Sequence, residues 1–521
     1  MRRHALFIGL FILVAAARVA ILLKSQTHVH SDEAIIGLMG KHILEGRYFP
    51  FYMYGQPYNA GAAWEAYLAA IAFAFFGVSV LSLKSCIVVL SLLCLVLFYC
   101  MCQALYNQRP ALFATIVFAL TPSLLKWHFQ VRGYSWYFLS IPILVMLFVA
   151  IESARTPRQS MLFLFGLASS VSIWCLELVV PLVAALWMLL ILRRRLSIYT
   201  AAAGLAGLAM GYAPVIAFNF TFQFSNWRYL VIESPGGGIS SLFHLSAFRR
   251  IFVDEMPKFF GPDTVLWYYP ETPTSGYVFY ATALVAVVVA IWPFVKSPSK
   301  IIRGINGDLA DCRQKRDFDM LVLTVACFVP YLTISEGVPS YFFGGCFFLS
   351  VLTGRMLQRS FSSSMALLRL GGAAVLAGIL VTGVLVMIRV GQKNQIETLS
   401  LFNNGKNYCM TRIPGGDLEG VEQYLRKHNV TSVWTTISLV YPLLFESGET
   451  LAVSDAIFEY PLRVYPQKVL WREPSLDPDA AFVIETDAPF RSLLERRCEQ
   501  VFGTAPSVHE HGKLTIVAEH E

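Results

Sequence analysis

The stretch VHSDEAIIGLMGKHILEGRYFPF, Val29 to Phe51, follows an apolar run and sets two carboxylates, Asp32 and Glu33, where a membrane would end. Within it Ile35, Ile36, Met39 and Ile43 recur at three- and four-residue spacing, and Lys41 and Glu45 stand four apart with opposite charge. That spacing predicts a short amphipathic helix, from Asp32 to about Gly46, at the outer interface. Ser31 or Asp32 is its expected N-cap, and Glu33 falls in the first turn, where free backbone N–H groups favour negative charge. Capping alone accounts for both acids, so a chemical role must be argued from what surrounds them.

The chain is 56% hydrophobic and 14% charged, with several uninterrupted apolar runs of about 17 to 25 residues, the length that spans a hydrocarbon core. This composition reads as a polytopic α-helical membrane protein. The net charge of +7 does not imply a nucleic-acid partner, because the basic residues sit in short blocks between apolar runs. Met1 to Lys24 has a basic start, a long apolar core and no small-residue cleavage site, and is read as a retained first helix.

Further apolar runs lie near 60–77, 83–106, 110–126, 135–151, 160–192, 197–218, 277–295, 319–335, 341–357 and 367–389. Basic clusters at Arg2/Arg3, Arg109, Arg155/Arg158, Arg193–Arg195, Lys296–Arg316 and Arg355/Arg359 all face the cytoplasm if positive charge stays inside. That requirement makes 60–77 a membrane-embedded or interfacial helix that does not cross, and folds 160–192 into two short spans turning at Glu177 and Pro181. The count becomes about eleven spans, with the N-terminus cytoplasmic and the C-terminus outside.

Three segments are left outside: a first outer loop at 25–82, a large outer loop at 219–276, and everything after about residue 390. In the last, DLEGVEQYLRKHN reads as a helix, and TSVWTTI, TLAVSD, AAFVIET and KLTIVAEH read as strands. The expected organisation is a transmembrane domain over 1–390 and a small extracytoplasmic α/β domain over 391–521. Most of the ten cysteines lie in apolar spans as small hydrophobes, and none has metal-ligand spacing. Cys409 and Cys498 are the two in the outer domain, and a disulfide between them stays open at this point.

After Pro50 comes FYMYGQPYNAGAAWEAYLAAIAFAFFG, polar turn chemistry rich in Tyr, Gln, Asn and Gly that enters an apolar helix carrying Glu65. Two helices joined by such a turn would make an outer vestibule with an apolar floor and acids at its mouth, suited to a lipid-linked substrate that reacts outside the membrane. The pattern SDEAIIGLMGKHILEG, then YGQPYNAGAAWEAYLAA, then FFGVSVLSLK, resembles the first outer loop of the GT-C glycosyltransferases that use polyprenyl-phosphate sugars. Relatives in that superfamily include protein O-mannosyltransferases, the transferase that adds aminoarabinose to lipid A, and bacterial enzymes that add sugars to lipopolysaccharide core. The likeness covers Thr27 to Lys84, with weaker traces at TPSLLKWHFQVRGY and GYAPVIAFNF.

The resemblance implies a GT-C-like fold with juxtamembrane helices in the first outer loop. It also implies transfer of a sugar from a polyprenyl-phosphate donor to a hydroxyl of a glycan, lipid or protein acceptor, with inversion, in a bacterial inner membrane. Inversion needs one general base within hydrogen-bond reach of the acceptor, and Asp32 matches the catalytic position. Glu33 is its neighbour and a candidate to orient the acceptor or to help bind a divalent metal, a requirement the sequence leaves open. Arg132, in WHFQVRGY, is the candidate for the donor phosphate, because guanidinium suits bidentate phosphate contact; an interfacial anchor is its plainer reading. Relatives often carry a second acid in that loop, and none stands between Pro122 and Ser140.

Arg18, Glu65 and Glu177 fall within or near apolar runs, where a charge needs a polar cavity or a partner. With His128, Gln56 and Tyr58 they complete the candidate cavity residues. The 219–276 loop is a candidate lid. The competing class is a non-enzymatic lipid-glycan transporter or scaffold, for which charges at the midplane of duplicated halves would be expected. A lipid-linked glycan ligase or polymerase is the other alternative, and it would place its key residues in the late outer loop.

Overall fold

A computed structural model describes residues 4–24, 29–233, 256, 260, 274–333, 342–392, 395–401, 408–455, 480–486, 491–502 and 505–518. Most of the candidate lid, residues 219–276, lies outside the described residues. The chain divides into two compact units. One comprises Met1–Ile21, Ile87–Phe129 and Gly133–Val390; the other comprises Leu22–Cys86, Gln130–Arg132 and Gly391–Glu521. The first outer segment is therefore grouped with the C-terminal segment.

The first unit is helical. Its main helices are α1 (Ala5–Lys24) and α4 (Val80–Leu105), each of which the division cuts, with α5 (Gln108–Leu120), α6 (Pro122–Trp127), α7 (Ser135–Ser153), α8 (Gln159–Cys175), α9 (Val180–Leu192), α10 (Ile198–Thr221), α11 (Thr274–Val295), α12 (Ser299–Asn306), α13 (Cys312–Thr333), α14 (Phe343–Phe361) and α15 (Ala366–Gln392). Every run expected to span holds a helix. Among the described residues six helices are long and apolar enough to cross a membrane: α1, α4, α7, α10, α11 and α15. The break in 160–192 falls as expected: α8 ends at Cys175, Glu177–Val179 makes a single 3₁₀ turn, and Pro181 sits in the first turn of α9, where its missing N–H costs nothing.

Burial sorts these helices into centre and rim. In α7, 72% of the apolar window is buried, against 22% in α1 and α10, so α7 forms the middle and the others turn apolar faces outward to where lipid would lie. Phe98, Phe118 and Phe347 lock α4, α5 and α14 together, with ring centroids 4.2 Å apart for the first pair and 4.7 Å for the second. Helices α8 and α10 approach backbone to backbone, since a Cβ on Gly166 would lie 2.0 Å from the Gly204 carbonyl oxygen.

Charged residues gather where several of these helices end. Arg193 donates to Glu152 at 2.7 Å and to Asp319 at 2.5 Å, Lys315 reaches Glu152 at 2.7 Å, and Arg316 reaches Glu152 at 2.8 Å. Nearby, Asp317 accepts from Tyr106 at 2.7 Å and pairs with Arg359. The ends of α4, α7, α9 and α14 and the start of α13 thus meet at one end of the unit. Buried charges persist only when paired in this way.

The second unit holds α2 (Ser31–Leu44), α3 (Ala60–Phe76) and a C-terminal α/β part. That part contains β1 (Gln395–Leu401), β2 (Tyr408–Pro414), α16 (Gly415–Lys427), β3 (Ser432–Thr435), α17 (Ile437–Glu446), β4 (Ala452–Asp455), β5 (Ala480–Glu485), α18 (Arg491–Phe502), β6 (Ser507–His511) and β7 (Leu514–Ala518). Strands β1 and β2 pair antiparallel, and the others form one sheet in the order β4-β3-β5-β7-β6. Strand β3 is parallel to β4 and β5, with α17 as the β3-to-β4 crossover. The four strands and one helix expected after residue 390 are present. Cys498 is a buried thiol, and the side chain of Cys409, its candidate disulfide partner, lies outside the described residues.

Candidate active site

Helix α2 is buried more completely than an interfacial helix would be. Nine of its residues, Glu33 to Gly40 and His42, are buried. The helix lies between α3 on one side and α17 on the other, which corrects the amphipathic reading. Three contacts mark the length of the α2–α17 seam. Ser31 Oγ donates to the Ser438 carbonyl at 2.9 Å. Gly37 meets the Phe445 ring so closely that a Cβ there would lie 2.5 Å from it. At the far end Glu449 accepts from Lys41 at 2.5 Å and pairs with His42 at 2.9 Å, while Tyr54 bonds the other imidazole nitrogen at 2.9 Å. Burial raises the Glu449 carboxyl, but the bonds from His42 and Lys41 outweigh it and hold the acid below its ordinary range.

The N-cap of α2 is His30, which corrects the expectation of Ser31 or Asp32. The His30 Nδ1 accepts from the Asp32 amide at 3.2 Å, and Glu33 reaches back to accept from the His30 amide at 2.9 Å. This is a capping box with an imidazole in place of the usual hydroxyl. The other Glu33 oxygen accepts from the Val131 amide at 3.0 Å, and Lys84 Nζ lies 3.5 Å from the first.

The tripeptide Gln130–Arg132 is thereby held to α2 by its backbone. A second tie comes from Asn59, whose side chain accepts from the Ala62 amide at 3.3 Å and donates to the Arg132 carbonyl at 3.3 Å. Asn59 caps α3 from a left-handed backbone, φ 60°, which Asn tolerates. Glu33 and Asn59 therefore bracket Arg132, and Asp32 is the residue next to the first bracket. Asp32, Arg132, Gln56 and Tyr58 are half-buried, and Glu65 is buried on α3.

The remaining candidates belong to the helical unit. Arg18 is fully buried and donates to Ser91 at 2.7 Å and to His128 Nδ1 at 2.8 Å. Since a guanidinium only donates, that bond fixes the His128 proton on Nε2. Burial, and the Arg18 charge beside it, hold the His128 imidazole well below its ordinary value, so it is neutral. Among the described residues no carboxylate pairs with Arg18, and its polar partners are Ser91 and His128. Glu177 lies in the turn between α8 and α9 and bonds the Asn226 side chain.

Three residues of this arrangement were not singled out from sequence. Lys84 stands alone at the head of a long apolar helix, which is a signal, and Asn59 directly before AGAAWEA is a readable cap. His30 carries no such signal, because histidine is an uncommon N-cap. Among the described residues no group of three or more His, Cys, Asp or Glu could hold a metal ion, and both Glu33 oxygens already accept a backbone N–H.

Solved structures share this architecture along the whole chain. ArnT from Cupriavidus metallidurans bound to undecaprenyl phosphate aligns over 99% of this chain and 98% of its own, with a TM-score of 0.59 at 13% identity. The apo state of the same protein gives 0.60 at 12%. The chain has the GT-C fold. The oligosaccharyltransferase of Archaeoglobus fulgidus in its apo form also aligns, over 87% of this chain and 65% of its own, with a TM-score of 0.52 at 11% identity. No protein-family model matches the chain, and no curated protein matches it in sequence. The GT-C likeness to ArnT takes in the first outer segment and the C-terminal α/β part as well as the helices, since hardly any of either chain is left out.

Proposed function

We propose that the chain is an integral-membrane glycosyltransferase. It moves a sugar from a polyprenyl-phosphate donor to an acceptor hydroxyl on the extracytoplasmic face of a bacterial inner membrane, with inversion. The observation that carries this reading is the bracket around Arg132: two side chains of the first outer segment, Glu33 and Asn59, grip the backbone on either side of it, one of them adjacent to Asp32. These bonds hold together the backbone segments that carry the Asp32 carboxylate and the Arg132 guanidinium, the base and the phosphate ligand that an inverting transfer requires. The likeness to a protein crystallised with undecaprenyl phosphate points to the same donor class.

In the proposed step the acceptor oxygen attacks the anomeric carbon from the face opposite the phosphate. The new C–O bond forms as the bond to the phosphate oxygen breaks, Asp32 takes the hydroxyl proton, and polyprenyl phosphate leaves with its charge met by Arg132. Glu33 orders the frame through the backbone N–H groups that its two oxygens accept. Asp32→Asn keeps the shape and removes the base, so kcat should fall by about 10²- to 10⁴-fold with thermal stability and donor binding retained. The assay is transfer by purified protein from a panel of polyprenyl-phosphate sugars, with products identified by mass. Substantial transfer by Asp32→Asn would take the base role from Asp32, and no transfer by the wild type from any donor would overturn the reading.

A further inference from the structure

The C-terminal part carries a cavity of about 260 Å³ that the proposed transfer does not use. It opens between the end of α16 and the turn that follows α17, at the edge of the sheet where β3 and β4 begin. Its accessible apolar lining is Val430 and Leu451, and its polar lining is Glu422, Arg426, Asn429 and Thr431. The side chains of Arg426, Asn429 and Thr431 make no hydrogen bond among the described residues. Glu422 bonds Glu446.

Asn429 is the informative member. Helix α16 closes with paired bonds, Val430 N to Leu425 O at 3.0 Å and Asn429 N to Arg426 O at 3.3 Å, and Asn429 sits in the left-handed region at φ 55°. Glycine is the usual residue at that position of the motif. Asparagine there accepts a less favourable backbone and leaves an amide, both donor and acceptor, on the cavity wall.

The chemistry of the wall selects a ligand class. Glu422 disfavours a phosphate and Arg426 disfavours a cation, and their charges cancel. What remains is an alternation of donors and acceptors above an apolar floor. Adjacent hydroxyls on a neutral sugar ring meet such a wall, while the C–H face of the ring lies on Val430 and Leu451. The volume falls just below the ~300–1,000 Å³ of typical ligand pockets, which is room for one ring and not for an oligomer.

We propose that this cavity is a carbohydrate subsite that takes one neutral sugar ring of a glycan acceptor, an inference that rests on the transferase reading for the identity of the glycan as acceptor. Ser438, which contacts Ser31 beside Asp32, lies in the first turn of α17, and Ser447, on the cavity wall, is its C-cap nine residues on, so a helical rise of ~1.5 Å per residue separates them by roughly 14 Å. The subsite therefore holds a sugar some residues away from the reacting hydroxyl and lengthens the acceptor that the enzyme prefers.

The test is saturation-transfer NMR with the full-length protein in nanodiscs, titrating glucose, galactose, mannose and N-acetylglucosamine, with glucuronate and inorganic phosphate as charged controls. The variants are Asn429→Gly combined with Arg426→Ala, and Asp32→Asn alone. Glycine suits φ 55°, so the double variant keeps its turn and its fold. At least one neutral sugar should bind, the double variant should weaken it at least about tenfold, Asp32→Asn should not, and neither control should displace it. Binding by no neutral sugar, unchanged binding in the double variant, or displacement by phosphate overturns the subsite. Transfer without such binding sinks the subsite alone, whereas binding without transfer sinks the transferase reading and leaves a carbohydrate site.

Discussion

Glu33 accepts at both oxygens from backbone amides, His30 on one side and Val131 on the other, with Lys84 close by. Glutamine keeps the length but must turn an NH₂ group toward one of those two N–H donors, leaving a buried donor unsatisfied at a cost of about 1–3 kcal/mol. Glu33→Gln should therefore lower both the melting temperature and kcat, whereas Asp32→Asn should lower kcat alone. A Glu33→Gln protein with wild-type stability and impaired turnover would return Glu33 to the chemistry. Arg132 is different again, since its backbone is clamped while its side chain is the proposed phosphate ligand. Arg132→Ala should raise the donor KM, and it should also lower kcat if the guanidinium binds the departing phosphate more tightly as charge develops. Arg132→Lys should recover part of the loss, because charge returns without the two-pronged geometry. Donor KM and kcat near wild type in Arg132→Ala, with poor membrane insertion, would make the residue an interfacial anchor.

At the scale of elements, helices were legible because hydropathy and length decide them, and the break at Glu177 and Pro181 was legible because proline belongs in a first turn. The burial of α2 was not legible, because its second partner, α17, lies some four hundred residues away in the chain, as the Ser31–Ser438 and Lys41–Glu449 contacts show. Local periodicity reports one apolar face and cannot report that a distant helix covers another. Asp32 could be picked out and its cap could not, for the same reason that a motif is local and an imidazole cap is rare. The pairing of α16 with α17 has a titratable consequence. Burial raises the Glu446 carboxyl to about 7; the Glu422 bond and Lys84 pull it down, and Glu419 pushes it further up. A carboxyl raised on folding contributes stability that is full below its unfolded pKa and is lost as pH rises through the folded value, here between about 4.5 and 7. Glu449, held below its ordinary range, works in the opposite direction on the acid side. Glu446→Gln removes only the first effect, so it should raise the melting temperature relative to wild type at pH 8 and leave it nearly unchanged at pH 5. An equal shift at both pH values would mean that Glu446 does not titrate in this window.

For the whole molecule the question is which end of the helical unit faces the cytoplasm. The charge argument from sequence needed Arg109, Arg155/Arg158, Arg193–Arg195, Lys296–Arg316 and Arg355/Arg359 to share one side. The network joining Glu152, Arg193, Lys315, Arg316 and Asp319, with Tyr106, Asp317 and Arg359 beside it, gathers the ends of five helices at one place. Basic residues close to span ends set orientation during insertion, so that end is the cytoplasmic one in the proposed topology. Helix α3 supplies the decisive check, since one additional crossing there would move every later basic cluster to the other side. It is shorter than the six long apolar helices, and its packing partner is α2 of its own unit. A reporter fused after Gly77 should then read as extracytoplasmic, and reporters fused after Arg109 and after Arg195 should both read as cytoplasmic. Gly77 cytoplasmic with Arg109 outside would make α3 a span. It would put the charged helix ends on the outer face against the positive-inside bias, and it would strip the Asp32 frame of the membrane side on which a lipid-linked donor is proposed to react.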